Sequence, residues 1–353
     1  MQKRYIGQLL LIVLIGIGLA MPVLGGEREP DTGGGRAISP IDTGLLVNGG
    51  MEDLGFYWMP PNHFVAERWY RWWLRDDIPE YDDVRDWRPQ RYDGDHAQIY
   101  FRYGATYTAG IYQRVANLQP CAFYQFQMYG RNHSGTGAEH NARIGLDPFG
   151  RTYNTLDNPR LTAVPSDIVW SPRKTYYETW GLHTVTAETR GNALTAITYV
   201  SPEPGYGYYD TFWDAGSLFQ VSPPGNRFAD PSSWTPSGFI SNVNVSTNGD
   251  QVQITWDTSA AASTQVWYNI LPVTTVSVTT PLSYTYYLPL VARSIDFDYE
   301  TPVSYAPVST HQVVIDGIGA DEVVEFVAVS RRLVGDTCYT EVSAVEYSGD
   351  PWP

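Results

Sequence analysis

Apolar and polar residues alternate along most of this chain, in short runs separated by turn-forming residues. Clear examples are Ala97–Tyr103, Ala122–Tyr129, His183–Thr189 and Ala193–Val200. A period of two places successive side chains on opposite faces of a β-strand. No stretch carries the sustained apolar stripe of an amphipathic helix. The pattern therefore predicts an all-β protein, and the many short strands favour β-sandwiches.

Two groups of strands are separated by a proline-rich stretch, residues 222–238, which suits a linker rather than a sheet. Its prolines are Pro223, Pro224, Pro231 and Pro236. We expect one domain over residues 41–221 and a second over residues 239–349. The second domain contains a long insertion, residues 272–308, which we expect to pack as an edge strand or against the first domain.

The first 26 residues are typical of a secretory signal peptide, because basic residues precede the apolar run Leu9–Leu19 and small residues follow it. The wider apolar stretch, Ile6–Leu24, is nearly long enough to span a bilayer, so an uncleaved membrane anchor is the alternative. Residues 27–40 have the composition of a disordered tether. The sequence thus predicts a secreted protein, extracellular or at the cell surface, that contacts a membrane only if the anchor is retained.

The composition narrows the choice of partners. A formal net charge of −15 argues against nucleic acid, since binding phosphates needs clustered Lys and Arg. The chain contains 26 Tyr and 12 Trp, while 17% of its residues are charged. This balance suits β-structure and surfaces on which flat ligands stack.

The two cysteines, Cys121 and Cys338, lie far apart in sequence. Their number and spacing fit neither a zinc site nor a disulfide framework. We therefore expect two buried free thiols.

Five short segments of the first domain resemble strands of galactose-binding-like jelly-roll carbohydrate-binding modules. The first and last of these segments are Leu46–Glu52 and Tyr209–Leu218. The middle segments are Gly94–Gln98, Gly110–Val115 and Arg143–Pro148. The resemblance covers most of residues 41–221. It implies a jelly roll that binds a polysaccharide or a cell-surface glycan, although jelly rolls of this type host many functions.

The same resemblance implies a structural calcium ion. In that family the opening Glu and the closing Asp commonly share the ion, and these positions correspond to Glu52 and Asp214. A hard cation requires several oxygen ligands, and Ala215 stands where a second closing acid often lies. The alternative interpretation is two solvated carboxylates.

The second domain resembles a fibronectin type III sandwich, in particular the one that precedes the catalytic domain of purple acid phosphatases. The phrases that carry this resemblance are Gln253–Trp256, Thr264–Tyr268 and His311–Ile315. We expect the catalytic half of such an enzyme to be absent. The second domain is then a spacer or a docking platform.

The sequence contains no pattern typical of a nucleophile elbow, a zinc protease, a P-loop or a dinucleotide-binding turn. Its six histidines are scattered between His63 and His311. We therefore expect a protein that is not an enzyme.

Alternation predicts a polar and aromatic sheet face. In Ala122–Tyr129 it turns the glutamines away from the core, and in Ala97–Tyr103 it turns the even-numbered residues away. The candidate ligand-binding residues are Tyr100, Arg102, Gln125, Gln127, Arg143 and Asp147. Sugars need fixed partners for their hydroxyls and flat rings for their C–H faces. The alternative is an ordinary solvated outer face.

Trp72 and Trp73 are the second candidates. Adjacent residues of a strand cannot both point inward, so we expect one ring to reach the surface, where it either completes the packing or stacks on a glycan.

These observations favour non-catalytic recognition of a polysaccharide or a cell-surface glycan. The alternative is an extracellular structural or adhesion protein of the cell envelope that acts through protein contacts.

Overall fold

The structure, a computed structural model, describes residues 43–52, 56–59, 63–74, 78–84, 90–135, 137–153, 160–204, 207–222, 238–272 and 297–348. The predicted signal peptide, the predicted tether, most of the predicted linker and residues 273–296 of the predicted insertion lie outside the described residues. Within that part of the chain all regular secondary structure is β-strand, so the all-β prediction is confirmed.

None of the described residues belongs to a helix long and apolar enough to cross a membrane.

The described residues of the amino-terminal part form thirteen strands. They are β1 (Phe56–Met59), β2 (His63–Ala66), β3 (Tyr70–Leu74), β4 (Glu80–Asp83), β5 (Gln98–Tyr103), β6 (Ala109–Ala116), β7 (Phe123–Ser134), β8 (Arg143–Asp147), β9 (Arg160–Leu161), β10 (Val169–Trp170), β11 (Gly181–Glu188), β12 (Ala193–Tyr199) and β13 (Tyr208–Val221).

These strands form a two-layer sandwich. A five-stranded sheet has the order β11-β7-β13-β5-β4, and a six-stranded sheet has the order β10-β8-β12-β6-β3-β9. From β5 onward the chain passes repeatedly between the sheets, and neighbouring strands are antiparallel except for β3 and β9. Strands β1 and β2 form a separate hairpin. The alternation between layers is the jelly-roll arrangement that the sequence predicts.

Side chains from the inner faces of both sheets fill the core, as the alternation of each strand requires. They include Tyr100, Tyr124, Phe126, Met128 and Trp213 from the five-stranded sheet, and Trp73, Ile111, Ile144, Leu146 and Leu194 from the six-stranded sheet. Full burial of a large apolar side chain contributes roughly 1.5–3 kcal/mol. A buried hydrogen bond of 3.1 Å between the Tyr100 and Thr198 hydroxyls joins the two layers.

In the carboxyl-terminal part, the residues that the structure describes form seven strands. They are β14 (Ile240–Asn248), β15 (Gln251–Pro272), β16 (Tyr299–Glu300), β17 (Ser304–Ile315), β18 (Glu322–Val334), β19 (Thr337–Val342) and β20 (Glu346–Tyr347). The first half of the long β15 pairs with β14 and β17, and its second half pairs with β16 and β18. Ile254, Trp256, Val266 and Phe326 meet in a separate core. The likeness to a fibronectin type III domain stays a prediction.

A disulfide bond joins the two parts. Cys121, just before β7, is bonded to Cys338 in β19 across a sequence separation of 217 residues, with 5.5 Å between their Cα atoms. The expectation of two free thiols is therefore wrong. Spacing in the sequence could not reveal the bond, because only the packing of β19 beside the start of β7 brings the two residues together.

Further contacts surround this bond, and all described residues belong to one compact unit. The guanidinium of Arg331 in β18 lies 4.8 Å above the Phe123 ring, and its Nη1 lies 3.3 Å from Oε1 of Glu188. Tyr305 of β17 packs into the core cluster of the first sandwich. The junction thus combines a covalent, an ionic and an apolar contact.

Replacing both cysteines by serine (Cys121→Ser with Cys338→Ser) should lower the free energy of unfolding by about 2–4 kcal/mol, because the unfolded chain gains freedom. Equilibrium denaturation in urea measures the loss. As a control, thiol titration of denatured but unreduced wild-type protein should detect no free thiol. Two titratable thiols would show that the bond does not form.

Candidate functional site

The outer face of the six-stranded sheet carries a row of aromatic side chains. Pairing aligns Tyr70 of β3 with Tyr112 of β6, and Tyr112 with Ile197 of β12. Ile197 pairs with Gly145 of β8, which pairs with Trp170 of β10. Because directly paired residues point to the same side of a sheet, these side chains cross five strands on one face.

Arg143 stands within this face, paired with Tyr199 of β12. Its guanidinium carbon lies 4.3 Å from the centroid of the Trp170 ring and 4.3 Å from that of the Tyr199 ring. Burial lowers the pKa of Arg143, and Tyr199 opposes that shift. An arginine side chain stays charged in proteins, so this group is a cation. Its Nε atom is buried and has no hydrogen-bond partner in the described residues. The Nε–H group is thus a donor that lacks an acceptor among the described residues.

The segment that follows β8 partly covers the outer face of the six-stranded sheet. Asp147 forms hydrogen bonds that hold this segment in place. The carboxylate of Asp147, which is fully buried, accepts hydrogen bonds from Arg151 Nε at 2.8 Å and from the Tyr153 hydroxyl at 2.6 Å. Burial and this hydrogen bond raise the pKa of Tyr153. Asp147 therefore anchors a loop and has little capacity left for a ligand.

Tyr70 marks the open end of the row. It is 39% exposed, and its ring stacks on Tyr112 with 5.5 Å between centroids and 29° between planes. Tyr199 and Trp170 are half-buried. The face therefore combines a partly exposed aromatic surface with one fixed cationic donor, an arrangement suited to a flat ligand that carries hydroxyl groups.

The predicted six-residue face does not exist as one surface. Arg143 and Asp147 belong to the six-stranded sheet, whereas Gln125 and Gln127 lie on the outer face of the five-stranded sheet. Both glutamines are half-buried between the core residues of β7, as alternation predicts. Gln127 Nε2 donates to Gln125 Oε1 at 2.9 Å.

The orientation predicted for β5 is wrong. Tyr100 is fully buried in the core. Gln98, two residues earlier and therefore on the same side of the strand, is fully buried too. Gln98 is satisfied there by the backbone of Ala66, whose N–H lies 2.9 Å from its Oε1. Arg102 lies near the end of the strand and donates to the carbonyl oxygen of Ile78 at 3.3 Å.

Trp72 and Trp73 do point to opposite faces, but neither ring reaches the surface. Trp73 lies in the main core, and Trp72 lies with Tyr112 and Tyr153 in a smaller cluster on the outer face. Their exposed fractions are 0% and 5% for Trp72 and Trp73. The expectation of an exposed ring fails because the segment after β8 covers this part of the sheet.

Glu52 and Asp214, the predicted calcium ligands, meet beside one loop. Glu52 accepts hydrogen bonds from the backbone N–H groups of Asp95 and His96, and Asp214 accepts them from Tyr92. Burial raises the pKa of both carboxyl groups, and the charge of Glu52 raises that of Asp214 further. Within the described residues neither carboxylate forms an ion pair.

A cation beside these two carboxylates would remove an uncompensated buried charge. In the described part of the chain, however, no three His, Cys, Asp or Glu side chains gather as metal ligands do. The site therefore fits a hard cation only if backbone carbonyl oxygens supply further ligands.

Sequence reasoning missed Tyr70, Trp170 and Tyr199. Tyr199 lies in the alternating run Ala193–Val200, two residues after Ile197. The sequence therefore does indicate that these two side chains share a face. Trp170 lies in a two-residue strand, which carries too short a pattern to orient its side chains.

No model of a known protein family matches the chain, and no curated protein does. Among solved structures, TmCBM61 in complex with beta-1,4-galactotriose is 14% identical and has a TM-score of 0.33, covering 50% of this chain and 99% of that chain. The tandem CBM22-1-CBM22-2 domain from Paenibacillus barcinonensis Xyn10C is 11% identical and has a TM-score of 0.30, covering 80% and 94%. The enzymatically active domain of Bacteriophage CBA120 tailspike protein 4 is 10% identical and has a TM-score of 0.33, covering 51% and 22%. Likenesses this distant do not assign a function.

Trp72→Ala and Trp73→Ala should each lower the free energy of unfolding by about 3–5 kcal/mol, because each removes a buried ring. Tyr70→Ala, on the same strand and face as Trp72, should cost only about 1 kcal/mol. Urea denaturation of the three variants measures the difference. If Trp72→Ala were as mild as Tyr70→Ala, the Trp72 ring would lie at the surface.

Proposed function

We propose that this chain is a secreted, non-catalytic carbohydrate-binding protein that recognises a polysaccharide or a cell-surface glycan on the outer face of its six-stranded sheet. The observation that carries the proposal is Arg143, whose guanidinium packs against both Trp170 and Tyr199 and whose buried Nε has no hydrogen-bond partner in the described residues. The two rings fix the guanidinium, so a ligand hydroxyl meets a donor that is already oriented.

The neighbouring rings supply the second requirement of sugar binding. A pyranose presents C–H groups on its faces and hydroxyls around its rim, so it stacks on an aromatic ring while its hydroxyls bond to polar groups. Tyr70, with its exposed ring, continues the row from Tyr112.

The absence of catalysis in this proposal is supported by the state of the acid on this face. Glycoside cleavage uses a pair of carboxyl groups, one on each side of the scissile bond. Asp147 is fully buried, and both its oxygens already accept hydrogen bonds from Arg151 and Tyr153, so it is not available to a ligand.

Arg143→Gln should weaken retention on a bound polysaccharide by about tenfold or more, since a hydrogen bond from a charged donor is lost. Tyr70→Ala should weaken it as well. Affinity electrophoresis through gels that contain a panel of polysaccharides measures retention, and thermal melting verifies folding. Arg332→Gln is the matched control, because Arg332 lies 4.2 Å above the Phe239 ring in the second sandwich.

Unchanged retention of Arg143→Gln and Tyr70→Ala would reject this face as the binding site. If no polysaccharide retains the wild-type protein and a cell-envelope protein binds it instead, the alternative of a structural or adhesion protein acting through protein contacts is correct.

We also propose that a calcium ion stabilises the first sandwich between Glu52 and Asp214. Their raised pKa values and their lack of ion pairs in the described residues support a cation there. The ion would supply positive charge to the half-buried Glu52 and the fully buried Asp214, and it would join the start of the sandwich to β13.

Calcium, added at a hundredfold excess over its Kd to protein from which a chelator has removed metal ions, should raise the free energy of unfolding by about 2.7 kcal/mol. The raised pKa of Asp214 means that the metal-free protein loses stability as the pH rises from about 3.9, the unfolded value, through the folded pKa. Calcium binds the ionised form, so its effect on the melting temperature should be larger at pH 7.5 than at pH 4.5.

Glu52→Gln should abolish this calcium effect, whereas Asp336→Asn, which removes an exposed acid of the second sandwich, should preserve it. A melting temperature that does not respond to calcium at either pH would disprove the proposal.

A further inference from the structure

A second cluster of polar and aromatic side chains lies on the outer face of the five-stranded sheet, where β5 and β7 end and β13 begins. Pairing aligns Tyr208 with Tyr103 and aligns Asp210 with His133. Arg131 follows on β7, two residues from His133 and therefore on the same face. The intervening residues of β7 and β13 are buried toward the core.

Arg131 is the most informative member, because it is only 5% exposed and still lacks a partner for one of its nitrogens. Its Nη2 donates to Glu178, and its guanidinium lies 5.5 Å from the centroid of the Phe212 ring. Its Nη1 is buried and has no hydrogen-bond partner in the described residues. A buried charged donor without an acceptor is costly, so this atom points to a ligand oxygen.

Asp210 presents the complementary group. Its carboxylate is half-buried and accepts no hydrogen bond from the described residues, while both oxygens of Glu178 are occupied by Arg131 and His133. Burial raises the pKa of Asp210 to about 6, with His133 and Arg131 opposing the shift and Glu178 adding to it. At neutral pH Asp210 is therefore an ionised acceptor without a donor, beside a donor without an acceptor.

Exposed rings border this pair. Tyr103 is 69% exposed and Tyr208 is 53% exposed, with 4.7 Å between their ring centroids. Tyr177 is 46% exposed, and its ring is nearly parallel to that of His133 at 6.5 Å. Large apolar rings this exposed at one place are typical of a binding surface.

We propose that this cluster is a second carbohydrate site, specific for a neutral sugar with two adjacent hydroxyl groups. One hydroxyl accepts from Arg131 Nη1, its neighbour donates to Asp210, and a C–H face of the sugar rests on Tyr103 or Tyr208. Glu178 already balances the charge of Arg131, and Asp210 adds a negative charge. A sugar acid would therefore be repelled.

The test separates this site from the one on the six-stranded sheet. A first-site variant carries Tyr70→Ala with Arg143→Gln, a second-site variant carries Tyr208→Ala with Asp210→Asn, and a third protein carries all four substitutions. Asp210→Asn keeps the shape of the side chain, so folding is not at risk. Tyr299→Ala is the control, because Tyr299 is 51% exposed in the second sandwich.

Saturation-transfer NMR screens each protein against neutral gluco-, manno-, xylo- and galacto-oligosaccharides and against acidic oligogalacturonides, and calorimetry measures affinity and stoichiometry. We expect the first-site variant and the control to retain binding of a neutral oligosaccharide. Asp210→Asn alone should weaken that binding in the first-site variant by about tenfold or more, and the protein with four substitutions should not bind.

The second site is overturned if the first-site variant binds no neutral oligosaccharide, or if its binding is unaffected by the Tyr208 and Asp210 substitutions. Equal or tighter binding of oligogalacturonides through these residues overturns the specificity for neutral sugars. If the first-site substitutions change nothing while the second-site substitutions abolish binding, the second site stands and the six-stranded face is not a binding site.

Discussion

The alternation of side chains across each strand is the constraint on which the rest of this structure depends. A sandwich has one inner space and two outer faces, so each strand must divide its residues between them. Trp72 and Trp73 illustrate the division, since one ring fills a cluster outside the six-stranded sheet and the other fills the space between the sheets. The same alternation on β7 buries Phe126 in the core and turns Arg131 outward. Both candidate sites therefore result from the alternation of side chains along their strands.

The hydrogen bonds of the outward-facing polar residues distinguish those that stabilise the fold from those that can bind a ligand. Asp147 is surrounded by donors, so it stabilises the loop that it holds. Asp214 accepts hydrogen bonds from three backbone N–H groups but has no ion pair in the described residues, so its oxygens are satisfied as acceptors while a charge on it would lack a counter-ion. Arg143 and Arg131 are cations whose faces are in contact with rings while one nitrogen lacks an acceptor. Groups of this last kind offer a sugar hydroxyl a hydrogen-bond donor.

The sequence predicts orientation well where one face is clearly apolar. In β7 the glutamines alternate with Tyr124, Phe126 and Met128, and the prediction is correct. In β5 both faces contain aromatic rings, so the pattern is ambiguous. Four hydrogen bonds with backbone groups satisfy the Gln98 side chain in the buried position. Tyr100 then follows Gln98 into the core. The predicted set of six residues divides between two sheets, because alternation within a strand does not say which strands are neighbours. The disulfide depends on the same missing information.

The junction between the sandwiches bears on what the second one does. A spacer needs freedom to move, but the bond between Cys121 and Cys338 fixes the second sandwich beside the start of β7. Glu188 and Phe123, which Arg331 contacts, are directly paired on the outer face of the five-stranded sheet. Burial raises the pKa of Glu188, and the charges of Arg331 and Arg190 oppose that shift. The second sandwich therefore bounds one end of this face, with Gln125 and Gln127 next along β7 and the cluster around Arg131 beyond them.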